Sequence, residues 1–399
     1  MKTVGIAAEY NPFHRGHAVH LQESLRKSGG DAVVIAVTSG DFVQRGEAAV
    51  FSKFARAEAA CRSGVDLVIE LPLPWSLASA EGFAAGAVSL LEALHTDWLS
   101  FGSETANLNE LEEVAELFCR PDFPRAVSDS MKMHPNCSFP ATRQELAEEQ
   151  LGKKLPILQQ PNNILAVEYL KAIRMHDWKI RPLPVLRKGG GHDVLTSSDL
   201  PSAAYIRSKM EEGRWPAELF SPEAECVLDH EREKGRAVSD RRIQDLCMLS
   251  RLRFLSEETF QNLPDAKDGA GERMYRALRQ STDYETFLRQ AVSRRLPLAR
   301  VRRMAICAAL GIGADDSRGF PLYARVLAFN EKGKLLLHDL SRTAEVPLLT
   351  KAAHVRKLSG KAENDFQLGA RAHDFYTLFY KEKEERTCGE DWRRGPALC

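Results

Sequence analysis

The sequence predicts an α/β fold: a parallel sheet wrapped by helices, then a helical extension and a C-terminal α+β section. Three observations carry this expectation. Short apolar runs alternate with helical patterns through the first half of the chain, the rhythm of βαβ units. After about Pro216 the character changes to charged, amphipathic helices. Strand-like apolar runs return only near Leu322.

Taken in order, residues 4–8 read as a buried strand, 18–27 as a helix closed by Gly29 and Gly30, and 32–38 as a second strand. A helix over 52–63 stops at Gly64, and a third strand follows at 65–71. A helix over 80–94 precedes a fourth strand at 98–101. Residues 109–173 are mostly helical, broken by Pro121, Pro135, Pro140, Pro156 and Pro161. A strand at 180–186 enters the loop 187–193, and a helix over 202–212 ends at Gly213. Residues 323–329 and 334–340 flank Asn330, Glu331, Lys332 and Gly333 and read as a β-hairpin. The last dozen residues read as a frayed tail. The chain divides accordingly into 1–215, 216–315, 316–385 and a tail, 386–399.

Composition narrows the functional classes. Hydrophobic residues at 44% and charged residues at 28% are those of an ordinary globular protein. No run of eighteen apolar residues suggests a membrane span, and no secretory cleavage pattern follows the first strand. The 8 cysteines are scattered without a CxxC pair, which speaks against a zinc ribbon and fits a reducing cytoplasm. Lys plus Arg, 55, equals Asp plus Glu, 55, so indiscriminate coating of nucleic acid is not expected, while a local basic surface stays open.

The chemistry concentrates after the first strand. His14 and His17 flank Gly16 where a helix opens. A helix N-terminus offers unpaired N–H groups and partial positive charge to a phosphate. Glycine lets the backbone approach, and two imidazoles supply further donors. Adenylyl transfer requires such positioning and charge stabilisation, not a covalent protein intermediate. His14, His17 and His20 recur every third residue, but no carboxylate or thiolate pattern completes a metal cage. His20, one turn further into the helix, reads as structural.

The run Asn11-Pro12-Phe13-His14-Arg15-Gly16-His17 resembles the HxGH signature of the nucleotidyltransferase superfamily. That superfamily's second signature, Ile-Ser-Ser-x-x-Ile-Arg, is similar to residues 201–207 at Ser202, Ile206 and Arg207. The resemblance implies a Rossmann-like nucleotidyltransferase domain over 1–215. Further segments resemble the bacterial tRNA(Met) cytidine acetate ligases: 39–47 (SGDFVQRGE), 51–56 (FSKFAR), 64–72 (GVDLVIELP), 101–104 (FGSE), 161–165 (PNNIL), Leu186-Arg187, 323–329 (YARVLAF) and 346–351 (VPLLTK). Asp41 stands where that family usually has Asn, and Ala48 where it has Pro.

What this resemblance implies is activation of acetate with ATP and transfer of the acetyl group to N4 of the wobble cytidine, position 34, of elongator tRNA(Met). ATP, with Mg2+, would bind across Ala7, Ala8, Glu9, Tyr10, Asn11, Pro12, Phe13, His14, Arg15, Gly16, His17, Ala18, Val19 and His20, completed by Gly102, Asn162 and Arg187. His14, His17 and Arg207 are the expected catalytic groups, assisted by Lys53; Asp41 would place a carboxylate beside the polyphosphate. Arg56 reads equally as a phosphate or RNA ligand and as a solvated helix face. Arg294, Arg295, Arg300, Arg302 and Arg303 form a basic cluster that by itself reads as RNA-binding or solvated. The resemblance favours tRNA, placing its surface in 216–315. Acetate, not acetyl-CoA, would be the donor, in the cytoplasm and away from membranes. Two other readings remain open: a small-molecule adenylyltransferase, and a non-catalytic RNA-binding protein on the same fold.

Overall fold

A computed structural model of the chain describes residues 1–134, 137–187 and 202–399. Pro135, the loop positions 188–193 and Pro201 lie outside the described residues. Strand β1 (Thr3–Ala8) leads into α1 (Arg15–Ser28), β2 (Val33–Ser39) and a small antiparallel pair, β3 (Phe42–Val43) with β4 (Glu47–Ala48). Next come α2 (Lys53–Arg62), β5 (Leu67–Leu71), the short α3 (Leu73–Ser76), α4 (Ala80–Ala93) and β6 (Trp98–Ser103). A helical insertion of α5 (Leu108–Cys119), α6 (Asp122–Met133), α7 (Phe139–Leu151) and α8 (Pro161–Met175) precedes β7 (Arg181–Leu186).

These strands run parallel in the order β5-β2-β1-β6-β7. Connectivity reverses at β1, which opens a crevice at the carboxyl ends of β1 and β6. β2 is buried along its whole length, as a central parallel strand covered on both faces must be. Val33, Ile35 and Val37 enter one core with α4, α5 and α8, while Val34 and Ala36 enter the opposite core with α2. Helices α9 (Ala203–Glu211) and α10 (Pro222–Glu233) join that second core through Ile206, Met210 and Leu228. A third core unites α11 (Arg241–Arg253), α12 (Glu257–Gln261), α13 (Ala270–Gln280), α14 (Tyr284–Ala291) and α15 (Leu298–Leu310) around Leu252, Phe260, Met274 and Phe287. Among the described residues no helix is long and apolar enough to cross a membrane.

The C-terminal part differs from expectation in two places. β8 (Ala324–Phe329) forms, but its neighbour is β5, to which it runs antiparallel. The expected hairpin partner at 334–340 belongs instead to a helix, α16 (Glu331–Thr343). Asn330 is its N-cap: the side-chain oxygen accepts from the Gly333 amide at 3.0 Å. Leu336 and Leu340, four residues apart, bury one stripe of the helix. The residues that resemble a turn are therefore a cap and a first helical turn.

The tail is not frayed. After β9 (Leu348–Leu349) and α17 (Lys361–Thr377), the chain forms α18 (Glu390–Arg393) and β10 (Ala397–Leu398). β9 and β10 both pair parallel with β8, so the last residues close one edge of the central sheet. Asp391 is only 1% exposed. Long-range ion pairs, invisible in local composition, hold this segment in place.

Candidate active site

The β1–α1 turn builds the centre of the site. Tyr10 adopts a left-handed φ of 46°, and its ring packs edge-on against Phe13 and His17 at 5.0 and 4.9 Å. Asn11 is buried; its side-chain oxygen accepts from the Val50 amide at 2.9 Å, and its backbone carbonyl accepts from Arg207 Nη1 at 3.0 Å. His14 is the N-cap of α1. Its Nδ1 accepts from the Gly16 amide at 3.0 Å, while the His14 amide donates to His17 Nδ1 at 3.3 Å. This is a capping box made of two imidazoles, with ring centroids 3.9 Å apart.

That box sets the chemistry of both rings. An Nδ1 that accepts a hydrogen bond carries no proton, so each neutral imidazole holds its proton on Nε2, the ring edge opposite the helix backbone. Burial, reinforced by the charges of Arg187 and Arg207, pushes the His14 pKa down to about 3. His14 is therefore a neutral donor at physiological pH. A Cβ on Gly16 would lie 2.7 Å from His14 Cε1, so only glycine lets the ring fold back over its own helix. His20 is tied away from this turn, with Nε2 3.1 Å from Ser100 Oγ on β6. Burial, with the Arg187 charge behind it, lowers its pKa to about 4.

A second wall comes from the ends of β6 and β7. Arg187 follows β7; its amide donates to the Ser103 carbonyl at 2.9 Å and its Nη1 to Asn162 Oδ1 at 3.1 Å. The Arg187 stem fills the space beside Gly102, where a Cβ would sit 3.1 Å from its Cγ. Glu104 accepts from the Asn162 and Asn163 amides at 3.4 and 2.9 Å, capping α8 with a carboxylate. Asn163 Oδ1 in turn accepts from Ser103 Oγ at 2.6 Å. Glu104 and Asn163 hold the loop that presents Asn162; both stand in the quoted motifs, but nothing in the sequence distinguishes their supporting task. Arg207 reaches the turn from α9, whose N-cap Ser202 accepts from the Tyr205 amide. Glu9 accepts from the Gln44 amide at 3.0 Å; burial raises its pKa against the pull of Arg207, Arg45 and Arg56.

The structure thus brings together His14, His17, Asn11, Gly102, Asn162, Arg187 and Arg207. It does not bring Lys53 to them. Lys53, 1% exposed, donates to Glu70 Oε1 at 2.9 Å and Asp391 Oδ1 at 2.6 Å. Burial works against its charge, but Asp391 and Glu70 hold its pKa above the ordinary value. An ammonium buried and spent on two carboxylates does not reach a phosphate, so Lys53 leaves the catalytic set. Asp41 is likewise turned away: Oδ1 accepts from the Lys53 amide at 2.7 Å and Oδ2 pairs with His373 Nδ1 at 2.9 Å. Arg56 is neither a ligand nor a solvated face. It is fully buried, with Nε on the Phe51 carbonyl, Nη2 on the Ser39 and Gly40 carbonyls and Nη1 on that of Glu9.

The arginine cluster also divides. Arg302 pairs with Glu47, whose other oxygen lies 3.9 Å from Arg207. Gly46, at φ 73°, packs directly on the backbone of Arg302 and Arg303, docking the β3–β4 turn onto α15. Arg303 lies 3.9 Å from Asp265. Arg295 donates to the Met131 carbonyl at 2.7 Å, and Arg300 to the carbonyls of Arg295 and Asp265. Arg294 is exposed.

A parallel sheet with phosphate-type donors at its switch point defines a nucleotide-binding α/β transferase. The chain matches the family HIGH Nucleotidyl Transferase over residues 1–391. It is 34% identical over 397 residues to the tRNA(Met) cytidine acetate ligase of Caldanaerobacter subterraneus subsp. tengcongensis, covering 96% of each chain. It is 32% identical to that of Halothermothrix orenii, covering 98% of each. Among solved structures, Thermotoga maritima TmcAL in its apo form I superposes with a TM-score of 0.94 at 30% identity, over 100% of this chain and 99% of that one. Form II of the same protein, bound with alpha-thio ATP, gives 0.92 at 31% identity, with the same coverage. The chain belongs to the HIGH nucleotidyl transferase family and, within it, to the tRNA(Met) cytidine acetate ligases.

Proposed function

We propose that this enzyme activates acetate with ATP and passes the acetyl group to N4 of the wobble cytidine of elongator tRNA(Met). In the first step an acetate oxygen attacks the α-phosphorus and pyrophosphate leaves. In the second, the N4 amine attacks the acetyl carbonyl, AMP leaves and the amine loses a proton. His14 and His17 donate from Nε2 to phosphate oxygens as charge develops, and Arg207 and Arg187 neutralise that charge. The α1 N-terminus and Gly16 let the backbone of residues 7–20 approach the nucleotide, with Gly102 and Asn162 on the opposite wall. Mg2+ enters with the nucleotide phosphates; among the described residues no cluster of His, Cys, Asp and Glu is arranged to hold a metal ion. Helices of 216–315 supply the tRNA surface.

The observation that carries this reading is the convergence of the imidazole capping box with Arg187 and Arg207 at one end of the sheet. The ligand-bound Thermotoga relative, named for alpha-thio ATP, supports the nucleotide part. Incubation with labelled acetate, ATP, Mg2+ and tRNA(Met) is expected to label the wobble cytidine and release AMP. Labelled acetyl-CoA without ATP is expected to leave the tRNA unlabelled. Pyrophosphate exchange indifferent to acetate, or efficient labelling from acetyl-CoA, refutes the proposal.

A further inference from the structure

A cleft of about 410 Å³ lies between α6 and the helices α13 and α15, within the ~300–1,000 Å³ range of small-ligand sites. Five basic side chains line it, Lys267, Arg273, Arg276, Arg295 and Arg300, against two carboxylates, Asp268 and Glu272. Met131, partly exposed, adds apolar surface, whereas Leu296 is buried.

The way these arginines are held is informative. Arg273 donates from Nε to the Ala291 carbonyl at 2.7 Å and from Nη2 to the Val292 carbonyl at 2.8 Å. Arg295 and Arg300 are likewise fixed by backbone carbonyls. A guanidinium satisfied by neutral acceptors is positioned yet keeps its full charge, unlike one matched to a carboxylate. α13 begins at this cleft with Gly269 as its N-cap and no side-chain cap, leaving amide donors for an anion. Arg276, nearly two turns into α13, is exposed, and among the described residues no carboxylate lies within ion-pair distance of it.

We propose that this cleft is a nucleotide site, separate from the ATP site, that takes one phosphorylated nucleoside with its phosphate on the arginines and its base against Met131. The inference rests on the RNA-modifying reading only for its preferred source, a nucleotide within the bound tRNA; a free mononucleotide has the same chemistry.

Arg276→Ala separates the possibilities, because among the described residues this side chain makes no hydrogen bond or ion pair. Binding of tRNA(Met) is measured against salt concentration in wild type and variant. In a second arm, uridine 5′-monophosphate is titrated into each with the ATP site saturated. The expected result is weaker tRNA binding with a log–log salt slope lower by about one unit. Melting temperature and tRNA-independent, acetate-dependent pyrophosphate exchange should stay unchanged. Loss of uridine monophosphate binding with intact tRNA binding assigns the cleft to a free nucleotide. If neither binding changes, the inference is overturned while the RNA-modifying reading stands. If the wild type itself fails to bind tRNA, that reading falls, and the mononucleotide arm alone decides the cleft.

Discussion

Two groups of nitrogen-bearing side chains lie along one sheet and behave oppositely. At the β1/β6 crevice, His14 is held by a backbone amide, Arg187 by the side-chain oxygen of Asn162 and Arg207 by the carbonyl of Asn11, with the Glu47 carboxylate no nearer to Arg207 than 3.9 Å. At the β5/β8 edge, Lys53 and Arg325 are matched to Glu70 and Asp391, and His373 to Asp41 and Glu390. A cation placed by neutral groups is ordered yet keeps its charge for an incoming phosphate. A cation placed by carboxylates is already neutralised, and its charge serves to join distant parts of the chain. The residue type does not decide the role; the partner does.

Removing one member of the neutralised group should have the largest effect. Asp391→Ala leaves Lys53 and Arg325 buried with a single remaining carboxylate, Glu70, and the loss of a buried ion-pair partner costs ~3–5 kcal/mol. Denaturant unfolding measures it; a loss below ~1 kcal/mol would mean that the tail contributes little to the sheet edge.

The same network should leave a signature in pH. Burial alone would lower the His373 pKa, but Asp41 and Glu390 raise it to about 10, above an ordinary 6.5. A folded pKa raised in this way gives stability that is complete below pH 6.5 and lost as pH climbs through about 10. The stability gap between wild type and His373→Gln should therefore narrow steadily over that window. A gap that is constant, or that widens with pH, contradicts an imidazolium between two carboxylates.

In the crevice the effect should fall on catalysis and spare the fold. His14→Ala and His17→Ala are each expected to lower acetate-dependent pyrophosphate exchange by ~10²–10³, the usual loss for one transition-state donor. Because the Nδ1 atoms also cap α1, a modest loss of stability, ~0.5–2 kcal/mol, should accompany it. Near-normal exchange in folded variants would remove the imidazoles from the mechanism. Arg207→Ala should cost less, ~10–100-fold in ATP use, with tRNA affinity retained; the reverse pattern would move Arg207 to the RNA surface.

The smallest expected effect concerns the arginines of the helical region. Arg294→Ala should lower the salt slope of tRNA binding by about one unit, whereas Arg302→Ala should chiefly loosen the β3–β4 turn from α15 by removing the partner of Glu47. Equal salt slopes in wild type and Arg294→Ala would identify that side chain as solvated surface.

How legible each part was in the sequence follows from the range of the forces involved. The strand–turn–helix carrying His14, Gly16 and His17 is readable because its determinants are local: an apolar strand, a glycine that permits close approach, and side chains three residues apart that cap a helix. The parallel sheet is readable for a similar reason, since β2 opens on the apolar run Val33–Val37 and β5 is apolar but for Glu70. Residues 331–343 were ambiguous because an Asn-started polar run suits both a turn and a helix cap, and only the burial of Leu336 and Leu340 against the main core decides for the helix.

By itself, then, the sequence determined the class of fold, the phosphate-type turn and the family. Whether Lys53, Arg56 and Asp41 meet a nucleotide or the rest of the protein was decided only in three dimensions. Lys53 is 338 residues from Asp391, and Asp41 is 332 from His373. No local pattern records which carboxylate will neutralise which cation, because that depends on how the last residues of the chain return to the edge of the first sheet. Burial then makes those contacts compulsory, since a charge withdrawn from water is tolerated only beside an opposite charge or, as for Arg56, a set of backbone carbonyls.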